Sequence, residues 1–336
     1  MKFKAALLGA AALTVMAGAA SAADLACLIT KNNTNPFFVK MKEGAEAAAT
    51  AAGLDFQAYA GEKDGDAAPQ ITAIENCVAA GAKGILITPS NDSVGPALKD
   101  ARAAGILVIA LDTPLADAEA QDITFATDNF EAGLLIGKWA AATMGEGAAT
   151  AKIAMLDINK DNISVDVARD TGFLVGFGIE VPDLTVMGSE TDPRVIGHET
   201  SDANPEGGLR AMETLLAKDP DINVVYTINE PAAEGAFQAL KNAGKEGQAI
   251  IVSVDGGCPG VASVKSGVIG ATSQQYPLLM ASKGIEAIVA FAKDGTKPTV
   301  SEGLSFFNTG VNLITDKPAE GVPSLDSTKG TELCWG

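Results

Sequence analysis

The chain has 336 residues, 42 acidic and 24 basic side chains, and a formal net charge of −18. A surface this acidic does not follow a phosphate backbone, which excludes DNA or RNA as a principal partner. With 47% hydrophobic residues it can fill two cores, and its length suits two domains of about 150 residues better than one.

Residues 1–22 read as a unit of their own. Lys2 and Lys4 precede an apolar run from Ala5 to Ala20 that ends in Ala20-Ser21-Ala22, the pattern of a secretory signal peptide cleaved after Ala22. The run is shorter than the ~20 residues a spanning helix needs. Lipidation at Cys27 is disfavoured, because Asp24 stands where that motif wants an aliphatic residue. Cleavage removes two lysines and no acid, taking the charge from −18 to −20.

From residue 25 a short aliphatic strand, a turn and an amphipathic helix closed by glycine follow one another repeatedly. Strands are predicted at 25–30, 54–60, 84–90, 107–112 and 123–128, then at 153–158, 184–189, 224–229, 249–255 and 269–275. Helical spacing lies between them, as over 69–81 and 93–105, each ending in a glycine. Two such series argue for an α/β chain with two similar lobes, each a parallel sheet covered by helices on both faces.

In open parallel sheets ligands bind beyond the carboxyl ends of the strands. Those ends carry Lys31 to Asn35, Thr88 to Asp92, Asp112, Thr127-Asp128-Asn129, Asp157 to Asn162, Asn229-Glu230, Asp255 and Gln274-Gln275. Amides and carboxylates of this kind grip neighbouring hydroxyls in pairs, as a sugar requires. Each alone reads equally as a helix cap or turn former; Asp112, Asn229 and Asp255 together, each ending an apolar strand, favour a site. Phe37 and Phe38 are either core or stacking faces for a sugar ring. Arg169 opens the helix pattern after the Asp157–Asn162 loop and can bridge sugar oxygens and a carboxylate such as Asp112.

Four cysteines in an exported chain allow three disulfide connectivities. Cys258, in a glycine-rich turn, and Cys334, in the tail, form the favoured pair. Cys27 and Cys77 lie in strand and helix patterns and read equally well as free core thiols.

The succession Asn35-Pro36-Phe37-Phe38-Val39, Met41-Lys42-Glu43-Gly44-Ala45, Ile109-Ala110-Leu111-Asp112, Thr127-Asp128-Asn129, Ala168-Arg169-Asp170-Thr171-Gly172-Phe173, Asn229-Glu230 and Val254-Asp255-Gly256 resembles the periplasmic sugar-binding proteins of ABC importers, in the ribose and fructose group. The resemblance spans the whole mature chain in order. It implies the type I periplasmic binding protein fold: two Rossmann-like lobes joined by three crossing strands, closing over one monosaccharide. By it the lobes comprise 23–127 plus 276–304 and 128–275 plus 305–336. The ligand set it implies is Asn35, Asp112, Asn129, Arg169, Asn229, Asp255 and Gln275, with Phe37 and Phe38 as stacking faces. An inner-membrane permease is the implied partner, a chemoreceptor a further one, and a monomer the expected state. Lys31, Thr113, Ala203 and an apparent insertion at 194–202 carrying His198 depart from the ribose pattern, which points to a reshaped pocket and a hexose such as fructose.

Enzyme motifs fail. No G-x-S-x-G, H-E-x-x-H or C-x-x-C occurs, and Gly137-Lys138 is followed by Trp139 where a phosphate-binding loop needs Ser or Thr. A carboxylate pair such as Asp112 and Asp255 in a sugar-processing enzyme is the rival reading. The single histidine, His198, reads as a solvated loop residue. The run Asp157-x-Asn159-x-Asp161 begins like a calcium loop, but Asn162 holds the glycine position and Ala168 the position of the bidentate glutamate. Neither a metal nor a cofactor is expected.

Overall fold

The computed structural model describes residues 23–336; the predicted signal peptide lies outside the described residues. The first lobe opens with β1 (Leu25–Thr30), α1 (Pro36–Ala52), β2 (Asp55–Ala60), α2 (Ala68–Ala79), β3 (Gly84–Ile87), α3 (Gly95–Ala103), β4 (Leu107–Leu111) and β5 (Ile123–Ala126). The second contains α4 (Asn129–Met144), β6 (Ile153–Asp157), α5 (Ser164–Phe177), β7 (Val195–Thr200), α6 (Pro205–Lys218), β8 (Val224–Thr227), α7 (Glu230–Asn242), β9 (Ile250–Asp255), α8 (Cys258–Ser266) and β10 (Ala271–Gln274). The chain returns to the first lobe for α9 (Pro277–Asp294) and β11 (Phe307–Asn308), then to the second for β12 (Asn312–Ile314) and α10 (Ser327–Leu333).

The sheets repeat one plan, with orders β11-β5-β4-β3-β1-β2 and β12-β10-β9-β8-β6-β7. All pairings are parallel except β10 with β12. The inner strands β1, β3, β4, β6, β8 and β9 are mostly apolar because helices cover both faces. In the first lobe Ala26, Leu28, Leu107 and Ile109 face α1 and α9, while the alternate residues Cys27, Ile29, Ile85 and Val108 face α2 and α3. This alternation carries Cys27 onto Cys77 of α2, and the two form a disulfide. The free-thiol alternative therefore fails. Cys258 pairs with Cys334 as expected.

Helices α4 and α5 meet backbone to backbone. A Cβ on Gly133 would lie 2.1 Å from the carbonyl oxygen of Arg169, and one on Gly172 2.3 Å from that of Phe130. Glycine at both positions is what lets the two axes come this close. The contact fixes where Arg169 stands.

Three predicted features are corrected. Residues 184–189 form a turn, not a strand: the Asp183 carboxylate accepts hydrogen bonds from the Thr185 amide and hydroxyl, and this local bonding competes with a ladder. The partner of β6 is instead β7, so the apparent insertion at 194–202 is the edge strand of the second sheet. The third correction concerns the lobe boundary at 304. Phe307 pairs with Phe125 in β5, their rings 4.8 Å apart, so the first lobe extends through Asn308. The lobes are joined at 127–128, 275–276 and 309–311, and the Thr127 hydroxyl donates to the Gly310 carbonyl across two of these segments.

Candidate functional site

Strand order reverses between β1 and β3 and again between β6 and β8, and the loops beyond these switch points face one another across the lobes. At the end of β1 the Asn32 side-chain oxygen Oδ1 accepts from the amides of Thr34 and Asn35, shaping the turn. The Asn35 side chain then caps α1 by accepting from the Phe37 amide at 2.9 Å. Pro36 takes the first helical position, where its missing N–H costs nothing. Phe37 and Phe38 follow, 3% and 5% exposed, packed edge to face.

Asp112 follows β4 and Asp255 ends β9, with φ of 62° and 137°; Ala203, also at the site, has φ of 53°. Residues other than glycine rarely adopt such backbone, and each costs about 1–3 kcal/mol. The strain points both carboxylates into the interlobe space.

Arg169 joins the elements. Its Nε donates to Asn129 Oδ1 at 2.8 Å, Nη1 to the Ile228 carbonyl at 3.0 Å and Nη2 to Asp112 Oδ1 at 3.3 Å, with Asp255 Oδ1 4.0 Å from Nη1. Asn129 donates in turn to the carbonyls of Asp112 and Thr127. Asn229 caps α7, accepting from the Ala232 amide and donating to the Ala203 carbonyl. Gln275 donates to Asp255 Oδ1 at 3.1 Å, and its buried Oε1 has no hydrogen-bond partner among the described residues.

These residues enclose a cavity of about 30 Å³, room for a single water, lined by Asn35, Phe37, Phe38, Asp112, Arg169, Asn229 and Asp255 together with Lys31, Asp64, Ile158, Val165, Ala203 and Ile228. Seven of the nine sequence-predicted residues thus share one wall. Asn129 and Gln275 do not line it: both side chains are spent on holding Arg169 and Asp255. A groove of about 700 Å³ opens elsewhere between the lobes, around Thr113, Pro114 and Ser164. No buried charge converges there, and we assign the site to the small cavity.

Two further groups escaped sequence reading. Asp64, beyond β2, sits 3.7 Å from Lys31 Nζ and accepts from Asn32 at 3.0 Å; the strand-end rule, applied to β2, finds it. Trp335 donates from its indole N–H to the Gln275 carbonyl at 2.8 Å and meets Phe37 edge to face. Nothing in the sequence brings that tail to the cleft except the Cys258–Cys334 pairing.

Burial disfavours the charge of three carboxyl groups, Asp255, Glu230 and Asp64. It pushes Asp255 up to about 7 against the pull of Arg169, with Asp112 adding to the rise. Glu230 is pushed to about 8 by burial and by Asp255, although it accepts from the Gly256 and Gly257 amides and the Thr272 hydroxyl. Asp64 is likewise raised by burial, against Lys31. The wall presents carboxylate acceptors, cationic donors and two aromatic faces, the partners of a polyhydroxylated ring.

His198 is not a solvated loop residue. On β7 its Nδ1 lies 2.9 Å from Asp157 and its Nε2 2.9 Å from Glu190. Burial opposes its charge, but these two carboxylates outweigh that and push it up to about 11.

A family model described as a periplasmic binding protein domain matches residues 26–297. The ribose import binding protein of Salmonella typhimurium is 31% identical over 85% of this chain and 91% of its own length. The D-allose-binding periplasmic protein of Escherichia coli is 27% identical over 84% and 89%. A carbohydrate transporter solute-binding protein from Agrobacterium radiobacter, solved in complex with D-arabinose, superposes with a TM-score of 0.76 over 94% of this chain and 99% of its own, at 24% identity. The two repeated sheets, the interlobe wall and a match over most of the length have one meaning: the chain belongs to the periplasmic binding protein family, whose members are binding proteins and not enzymes.

Proposed function

We propose that this protein is exported to the periplasm, captures a monosaccharide between its lobes and presents the closed form to the permease of an ABC importer. The observation that carries this reading is the convergence of Asp112, Arg169, Asn229 and Asp255 with Phe37 and Phe38 on one buried wall shared by both lobes. Only the closed arrangement lets both lobes satisfy one ring, so the sugar binds the closed state more tightly and shifts the population towards it. Relatives named for ribose and allose import or binding support the ligand class. Lys31 and Asp64, paired at the cavity wall, reshape it and favour fructose or a related hexose over ribose.

Thermal unfolding of the mature protein against fructose, ribose, allose, glucose, galactose and myo-inositol tests this. A cognate sugar at ~1,000 times its Kd adds about 4 kcal/mol of stability. Silence across the whole panel would overturn the monosaccharide reading.

A further inference from the structure

A cluster of charged side chains lies in the second lobe, behind the ligand wall and outside it. Asp157 ends β6, Asp170 lies on α5, and His198 comes from the edge strand β7. One ligand atom from each lies within 4.8 Å of the other two. Asp157 Oδ2 and Asp170 Oδ2 stand 2.9 and 3.4 Å from the same imidazole nitrogen, Nδ1. A single N–H can satisfy only one of them. Asp170 is fully buried, and neither of its oxygens has a hydrogen-bond partner among the described residues; Oδ1 of Asp157 is equally without one. Buried carboxylates are normally hydrogen-bonded, paired or coordinating a metal.

We propose that Asp157, Asp170 and His198 bind a divalent cation of the zinc class, through His198 Nδ1 and one oxygen of each carboxylate. Tetrahedral ligands at ~2.0–2.1 Å from zinc stand about 3.4 Å from one another, close to the spacing already present here. Nε2 of the same ring lies 2.9 Å from Glu190 Oε1, the outer carboxylate that orients metal-bound histidines. His198 is 20% exposed, and water would supply the fourth ligand. A nitrogen ligand with two carboxylates suits zinc better than calcium, which takes oxygen alone. The calcium-like run is not the site: the Asn159 side chain accepts from the Asp161 amide in a local turn, and only Asp157 is shared. The cation would pin β6, α5 and β7 together, directly behind Ile158 and Arg169 of the cavity wall.

The test is sharp because His198 is the only histidine in the chain and the four cysteines are paired. Tag-free mature protein, stripped with chelator, is titrated with Zn²⁺ by calorimetry and with Co²⁺ by visible absorption. We expect one equivalent bound, with the intense absorption of low-coordinate Co²⁺. Asp170→Asn and His198→Gln should each weaken binding by at least ~100-fold, and Glu190→Gln by ~10–100-fold. Asp170→Asn keeps the shape and replaces a fully buried carboxyl group by a neutral amide, so it carries the test even if His198→Gln does not fold. Retention of less than ~0.1 equivalent, or affinity unchanged by Asp170→Asn, would overturn the proposal and leave a cluster held by protons alone.

Discussion

Gly133→Ala tests whether the contact between α4 and α5 sets the binding site. The new methyl would sit 2.1 Å from the Arg169 carbonyl oxygen, whereas ordinary contact begins near 3.4 Å, so α5 must retreat by about 1.3 Å. Arg169 Nε reaches Asn129 at 2.8 Å, and the same retreat carries it beyond hydrogen-bonding range. Overpacking of this kind costs about 1–3 kcal/mol of stability. A displaced guanidinium also loses one charge-assisted bond to the ligand, worth about 1.5–3 kcal/mol or roughly 10–150-fold in Kd. Calorimetry with the responding monosaccharide, beside urea unfolding of the free protein, reads both effects. Wild-type affinity in a destabilised variant would refute the positioning of Arg169 by this contact, and wild-type stability would refute the contact itself.

On the proposed function, Asp255→Ala should raise the sugar Kd by more than ~100-fold while the protein stays folded, because it removes an acceptor from the cavity wall and relieves a strained, buried carboxylate; calorimetry and circular dichroism check the two halves. Asp255 and Glu230 carry folded pKa values of about 7 and about 8, above their unfolded values. The folded state therefore holds protons that the unfolded chain has lost. Their contribution favours folding most near pH 4, declines as pH rises through about 4 to 8, and is flat above. The melting temperature of Glu230→Gln should accordingly gain on wild type between pH 5 and pH 8, and a constant difference would argue against a raised Glu230. Replacing Cys258 and Cys334 together by serine, which opens a span of 76 residues, should cost about 2–4 kcal/mol. The same change should weaken sugar binding by freeing Trp335 from Phe37 and Gln275, whereas unchanged affinity would remove the tail from the site.

Lobe architecture was legible because fully covered parallel strands are continuous apolar runs and their helices are periodic and glycine-terminated. Ten strands were expected and nine fell where predicted, with the last polar residues trimmed from most ends. The exception, 184–189, looked like a strand but spends its bonds on a local Asx turn. The true edge strand, β7, is half-buried along its length and carries Gly197 and His198, so its pattern was weak. The site was partly legible for a similar reason. Asp112, Asn229 and Asp255 announce themselves as polar ends of apolar strands, and the rule for open sheets says where such ends point.

The sequence by itself determined two α/β lobes and the strand-end positions of most cavity residues, and it favoured the pairing of Cys258 with Cys334 without fixing it. These follow from local periodicity, from capping chemistry and from the few places where a polar residue interrupts an apolar run. Tertiary structure alone decided that Cys27 meets Cys77, that Asp64 reaches the cavity and Trp335 packs on Phe37 and Gln275 behind it, that Asn129 and Gln275 support the wall without lining it, and that His198 is clasped by Asp157, Asp170 and Glu190. Each of these joins residues distant in sequence through the packing of two elements, down to the backbone contact that glycine permits between α4 and α5. Such distances are properties of the folded solid, and no local pattern of residue types encodes them.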